Sequence, residues 1–309
     1  MSVKFCVLGS GSDGNAALLM TPYLHVLIDA GFAPNELAAR MDGTGASWAS
    51  IRAIVLTHTH ADHLKRKCLV TCAEYEIEFW CHGQHFLQLQ NSRYFNHLHK
   101  KGLVRTYESA TVFELGAKLN AIPPVLSNGA ADPLPTHIRI HPIQVPHDCK
   151  PTYGFRIEAR KAHDTTGGTV ANEAPAAYGE QWAKLGYLVD LGDCAEDIAA
   201  SVLDVDLLAL EFNHDEHLQR TSGRHPSLIE RVLGKDGHLS NKQAANVFRH
   251  VLERGQNGGP KVLVQMHLSR ECNRAELAYE AAQQVLLLTG SDTQVFSTRQ
   301  DRRGTVHTI

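Results

Sequence analysis

The chain has 309 residues, 43% of them hydrophobic, which is enough to bury a large core. Thirty lysines and arginines against 33 acidic residues give a formal charge of −3, excluding a chain-wide basic field as the means of holding a polyanion. The seven cysteines (Cys6, Cys68, Cys72, Cys81, Cys149, Cys194 and Cys272) are odd in number and lack C-x-x-C spacing, which argues against a disulfide framework or a structural zinc knuckle.

In chain order, the opening "MSVKFCVLGSGSDGN" carries a short apolar run that breaks at glycine, too short for a secretory signal. No later run approaches a membrane span, so a cytoplasmic protein with no membrane partner is expected. The pattern predicts a strand over 3–8, a glycine-rich turn over 9–15, a strand over 24–28, a helix over 34–41 and a strand over 53–56. A helix follows over 83–92, then strands over 111–115, 138–145 and 153–159. Residues 160–183, rich in Gly, Ala, Thr and Pro, read as a surface insertion between strands of one domain spanning 1–309. Beyond it come strands over 186–190 and 206–210, helices over 226–233 and 241–254, a strand over 261–265, a helix over 274–288 and a strand over 293–297. This is a mixed α/β chain whose strands are followed by polar residues able to converge at one edge.

The strand over 53–56 runs into "THTHADH", an H-x-H-x-D-H pattern formed by His58, His60, Asp62 and His63. At an extended strand end, positions 58 and 60 point to the same side, so two imidazoles can reach one metal ion. Asp62 and His63 lie past the turn and can face a second ion. Imidazole and carboxylate without thiolate are the ligands of zinc, manganese or iron. The plain alternative is a polar turn in a chain that holds 19 histidines.

"THTHADH" resembles the signature of metallo-β-lactamase-fold hydrolases. "LGSGSDGNAALL" with "LIDAG", and then "LEFNHDEHL", "GHLSN" and "MHLSRECN", are similar to blocks of the YycJ/WalJ-like exonuclease branch of that family. The resemblance implies an αββα sandwich of two mixed sheets flanked by helices, with metal ions at the sheet edges. It also implies a ligand set. His58 and His60 match the first-ion histidines, and Asp62 and His63 match the second-ion pair. His147 in "VPHDCKPTYGF" matches the mid-chain histidine, with His141 as its competitor inside the preceding strand. Asp190 in "GYLVDLGD" matches the carboxylate shared by both ions, with Asp193 as a turn-forming alternative. His267 matches the last ligand. The implied cofactors are two divalent ions, Zn2+ or Mn2+, which would hold an activated hydroxide.

Several further residues are candidates for substrate contact. His214 is assigned to general-acid work or phosphate binding, the alternative being a helix-start residue, and Asp62 to contact with the nucleophilic water as well. His238, Ser240 and Asn241 precede a helix and could face an anion, although Ser240 would serve equally as a plain cap. The glycine-rich turn lacks a P-loop lysine, and brings Ser12 and Asn15 near the site. Lys65, Arg66 and Lys67 follow the ligands directly and could guide a polyanion. The expected activity is metal-dependent hydrolysis of nucleic-acid phosphodiesters, possibly 5′ to 3′, with a small cyclic or nucleotide phosphodiester as the alternative substrate. Thioester or lactam hydrolysis, which the same fold hosts, is a third reading.

Overall fold

Strands that read as unbroken apolar runs are those covered on both faces, and their residue parity divides the core into layers. In β1 (Lys4–Gly9), Phe5 and Val7 turn to one side and Cys6 and Leu8 to the other, and all four are buried. The computed structural model describes residues 2–116, 136–162 and 181–309. Along the chain, β1 is followed by β2 (Ala16–Met20), β3 (His25–Ile28), β4 (Ile51–Val55), β5 (Glu78–His82) and β6 (Val104–Tyr107). The second half contributes β7 (Phe113–Gly116), β8 (Thr136–Val145), β9 (Thr152–Arg160), β10 (Trp182–Leu188), β11 (Leu207–Glu211), β12 (Val262–Met266) and β13 (Gln294–Ser297). Finally β14 (Val306–Thr308) returns to pair with β1.

Among the described residues these strands form two seven-stranded mixed sheets, ordered β14-β1-β2-β3-β4-β5-β6 and β13-β12-β11-β10-β9-β8-β7. The two halves repeat one plan: antiparallel pairings on one side, then a parallel run through β3–β6 or β10–β13. Between the sheets lies a core to which both contribute, including Phe5, Val55, Phe155, Tyr187 and Met266. Each such large side chain contributes about 1.5–3 kcal/mol when buried.

Helices cover the outer faces. Over the first sheet pack α1 (Pro34–Met41), α2 (Cys68–Tyr75), α3 (Gly83–Leu89) and α4 (Arg93–Lys100), through residues such as Leu37, Leu69, Leu89 and Phe95. The helices of the second half are α5 (Glu196–Ala200), α6 (Glu216–Arg220), α7 (Pro226–Leu233), α8 (Asn241–Arg254) and α9 (Ala275–Thr289). Of these, α5, α8 and α9 fill the core over the second sheet with Ile198, Phe248 and Ala282. Among the described residues no helix is long and apolar enough to cross a membrane.

The expected strands and helices are present with boundaries shifted by a few residues. Among the described residues, β2, β5, β6, β14, α2, α4, α5 and α6 escaped the sequence pattern, as did a 3-10 turn at Trp48–Ser50. β2, "AALLM", is buried on both faces and shows no alternation to separate strand from helix. In α4, "RYFNHLHK", only Phe95 and Leu98 are buried, so its apolar stripe is two residues wide. α5 and α6 are single five-residue turns whose helical state is set by what they pack on. Most of the expected insertion lies outside the described residues, and at its margins Arg160 pairs with Trp182 across the β9–β10 ladder.

Candidate metal centre

The parallel strands all end toward one edge, and the polar residues that follow them meet there. Beyond β3 comes Asp29, beyond β4 the turn holding His58 to His63, beyond β10 Asp190, and beyond β12 His267. The turn joining β8 and β9 adds His147. Three of these residues, Asp29 (φ 61°), Asp190 (φ 58°) and His267 (φ 56°), take the left-handed backbone conformation that swings a side chain sharply away from its strand. The cost of that conformation is met by tight local hydrogen bonding. Asn15 N donates to Asp62 O at 2.7 Å, Ala30 N to His63 O at 2.8 Å and Lys65 N to Ala30 O at 2.8 Å, stitching the ligand turn to the residues after β3. Gly31 lies so close to Asp62 O and Asn15 N that any Cβ there would collide with backbone, so glycine is required.

His58, His60 and His147 form the first group, with one ligand atom from each lying within 4.8 Å of the others. Their protons can be placed from their partners. The Thr57 hydroxyl donates to Asp29 at 2.9 Å, so its oxygen accepts from His58 Nδ1 at 3.0 Å and leaves His58 Nε2 free. Gly237 O can only accept, so His147 Nδ1 donates to it at 3.1 Å and leaves His147 Nε2 free. His58 Nε2 is 3.1 Å from His60 Nδ1. Burial, aided by the neighbouring His63 charge, holds His58 well below the usual imidazole range, which keeps it a neutral donor.

Asp62, His63, Asp190 and His267 form the second group under the same 4.8 Å limit. Asp190 joins the two: its Oδ2 lies 2.5 Å from His63 Nε2 and 3.7 Å from His58 Nε2. Burial works against a charge on His63, but the carboxylates of Asp190 and Asp29 outweigh it and raise its pKa well above the usual value. Burial likewise opposes the Asp190 carboxylate, yet His267 and His63 hold its pKa well below the carboxylate range. His267 is raised to about 9 against the burial penalty by Asp190 and Glu211. Protons here do the work of cations among buried carboxylates. Divalent ions suit the same set, because His267 Nε2 is buried without a hydrogen-bond partner and the buried Asp190 carboxylate is faced by nitrogens of His63 and His267.

Two carboxylates that sequence reasoning missed hold this set in place. Asp29, fully buried, accepts from Thr57 N at 2.8 Å and from His63 Nδ1 at 2.7 Å, turning His63 Nε2 toward the centre. Glu211, at the end of β11, accepts from His238 Nδ1 at 2.8 Å and His267 Nδ1 at 2.9 Å. Its other oxygen takes Leu191 N at 3.0 Å. Despite burial, the two histidines lower its pKa to about 2. Glu211 also falls in a third possible metal-holding group with Asp190, His238 and His267. The signal for both was present: each is an acidic residue directly after an apolar strand, in "LIDAG" and "LEFNHD".

The remaining candidates divide. His238 stands over the centre, its ring 5.2 Å from that of His147 and 5.0 Å from that of His267. His214 is outside all three groups, buried, with neither ring nitrogen hydrogen-bonded, and burial lowers its pKa to about 4. Asn15 is at the centre, its Nδ2 3.0 Å from His63 Nε2 and 3.3 Å from Asp62 Oδ2. Ser12, by contrast, is exposed and joins no group. Ser240 caps α8, accepting from Gln243 N and donating to Glu216 at 3.1 Å, while Asn241 is locked in an amide pair with Asn273 at 2.9 Å. These bonds give both side chains a role in the scaffold. Lys65 is half-buried, Arg66 and Lys67 are exposed, and none of the three forms an ion pair among the described residues. His141, the competitor of His147, sits mid-strand beside Glu158, and Asp193 is an exposed turn residue bonded to Cys194 N.

The family model described as the Beta-lactamase superfamily domain matches residues 25–267. The exodeoxyribonuclease WalJ of Streptococcus pneumoniae is 23% identical to this chain, over 96% of it and 95% of the relative. The exodeoxyribonuclease YycJ of Bacillus anthracis is 24% identical, over 93% and 90% of the two chains. Among solved structures, Zn2+-bound PqqB from Methylobacterium extorquens superposes with a TM-score of 0.61 at 14% identity, covering 99% of this chain and 100% of that one. Unliganded yeast PDE1 gives 0.60 at 12% identity, covering 98% and 99%. At such identities the structural likeness concerns the fold.

Proposed function

Since this chain belongs to the β-lactamase superfamily, whose domain spans residues 25–267, we propose that it is a metal-dependent phosphodiesterase of nucleic acid, working as one hydrolase domain and digesting from a strand end. The observation that carries this reading is the meeting of seven side chains, from four separate stretches of chain, in two adjoining groups, with Asp190 of the second 3.7 Å from His58 of the first. Their chemistry suits Zn2+ or Mn2+: His58, His60 and His147 would hold one ion, Asp62, His63 and His267 the other, with Asp190 common to both. Bound there, the ions would supply a nucleophile at neutral pH and neutralise charge developing on the phosphoryl oxygens.

The chain's own groups do the rest. Asp62, fixed by Asn15 Nδ2 at 3.3 Å, orients the attacking water by accepting its hydrogen bond. His238, its Nδ1–H held by Glu211, presents Nε2 to the leaving oxygen as proton donor. His214, neutral near pH 7 because of its burial, serves as an N–H donor to phosphate and not as the acid. Lys65, Arg66 and Lys67 carry the adjoining backbone phosphates. The names of the two exodeoxyribonuclease relatives support DNA as the polymer.

The test is a metal count on the purified protein, followed by labelled single-stranded and duplex oligonucleotides beside bis-p-nitrophenyl phosphate. Close to two ions per chain are expected, with shortening from one end that is lost in His60→Ala and Asp62→Ala. Hydrolysis of the small diester with every oligonucleotide left intact would replace the nuclease with a small-molecule phosphodiesterase.

A further inference from the structure

The mouth of the first group is filled by the protein's own anion. Asp148 directly follows His147, is 28% exposed, and points its Oδ1 at the centre, 3.2 Å from His147 Nε2 and 3.7 Å from His60 Nε2. Because the proton of His147 is committed to Gly237 O, the nitrogen facing Asp148 is the one available to a ligand. On its outer side Asp148 Oδ2 lies 3.1 Å from Nε of Arg231, in the last turn of α7. That guanidinium is 59% exposed and has no other ion pair among the described residues. A negatively charged group therefore sits between an arginine fork and the first imidazole group. A phosphodiester on its way to that group would present the same charge and a matching pair of oxygens.

We propose that Arg231 binds the non-bridging oxygens of the reacting phosphodiester and that Asp148 is an internal stand-in which the substrate replaces on the guanidinium. The assignment rests on the phosphodiesterase reading above. Arginine fits the role where lysine would not, since its planar fork meets two oxygens at once. The partnership also ties α7 to the loop carrying His147, and a second exposed pair, Lys150 with Asp236 at 3.1 Å, braces the same seam. Arg231 can thus exchange partners without releasing the loop.

The metal-loaded wild type, Arg231→Gln, Arg231→Lys and Asp148→Asn are compared in ion content, in kcat and KM on bis-p-nitrophenyl phosphate, and in calorimetric binding of inorganic phosphate. Arg231→Gln should raise both KM and the phosphate Kd about tenfold with the ions retained, as expected for losing a forked charge-assisted contact. Arg231→Lys should recover part of that loss. Asp148→Asn should tighten phosphate binding severalfold with the ion count unchanged, because a competing anion is gone. An unaltered phosphate Kd in Arg231→Gln overturns the assignment. So does loss of an ion in Asp148→Asn, which would make the carboxylate a ligand or an anchor of His60. If the wild type hydrolyses no phosphodiester, the functional reading fails, and the phosphate-binding measurements still decide the role of Arg231.

Discussion

Replacing Asp29 by asparagine tests whether the centre is held from behind. The carboxylate accepts on both oxygens, from Thr57 N at 2.8 Å and from His63 Nδ1 at 2.7 Å, and is itself in none of the three groups that could hold an ion. Asparagine has the same shape and tolerates the left-handed backbone at φ 61°, so the fold has little reason to change. However it is turned, its amide sets an N–H against one of those two donors. The buried clash is relieved if His63 moves its proton to Nε2, which removes the lone pair from the nitrogen that faces the centre. Loss of such an outer partner typically weakens metal binding by about 10–100-fold, or ~1.4–2.7 kcal/mol. The complete burial of Asp29 places the expected effect at the upper end. Stripped protein would be titrated with zinc against a chromophoric chelator, with circular dichroism to confirm folding. A folded Asp29→Asn that takes up two ions with wild-type affinity would refute the reasoning.

Three other outcomes are expected. His214→Ala should keep its ions and lose turnover, though less than His238→Ala; a metal count as low as that of His60→Ala would make His214 a ligand. Changing Lys65, Arg66 and Lys67 together to alanine should raise KM for oligonucleotides, flatten its salt dependence by about one logarithmic unit per phosphate contact removed, and spare bis-p-nitrophenyl phosphate. Equal losses on both substrates would mean that the run supports the ligand turn. Outside the ligand groups, His85 donates from Nε2 to Pro151 O at 2.8 Å and accepts His82 N at 3.3 Å, and burial lowers its pKa from 6.5 to about 4. A histidine depressed in the folded state contributes stability that is complete above the unfolded pKa of 6.5 and is lost as pH falls through about 4. Between pH 7.5 and 5, urea denaturation should therefore show about 2 kcal/mol more destabilisation in wild type than in His85→Gln, and identical slopes would dismiss His85 as the source.

The sequence by itself determined what lies inside one element or one turn. His58, His60, Asp62 and His63 stand within one six-residue stretch just past a strand end, so backbone geometry alone brings them to one place. The same local rule exposed the strands through their apolar runs, and the family blocks marked His147, Asp190 and His267. Only the tertiary structure decided between neighbours, admitting His147 and Asp190 to the ligand groups and leaving His141 and Asp193 aside. It also bonded Ser240 to Glu216 and Asn241 to Asn273, and it brought in Asp29, Glu211 and the Asp148–Arg231 pair. The reason is directional. Spacing fixes where a side chain points only as far as regular backbone continues. Beyond a strand end, left-handed turns such as those at Asp190 and His267, and hydrogen bonds between residues as distant as Ser10 and His267, set the direction instead. Those contacts exist only once both sheets have packed.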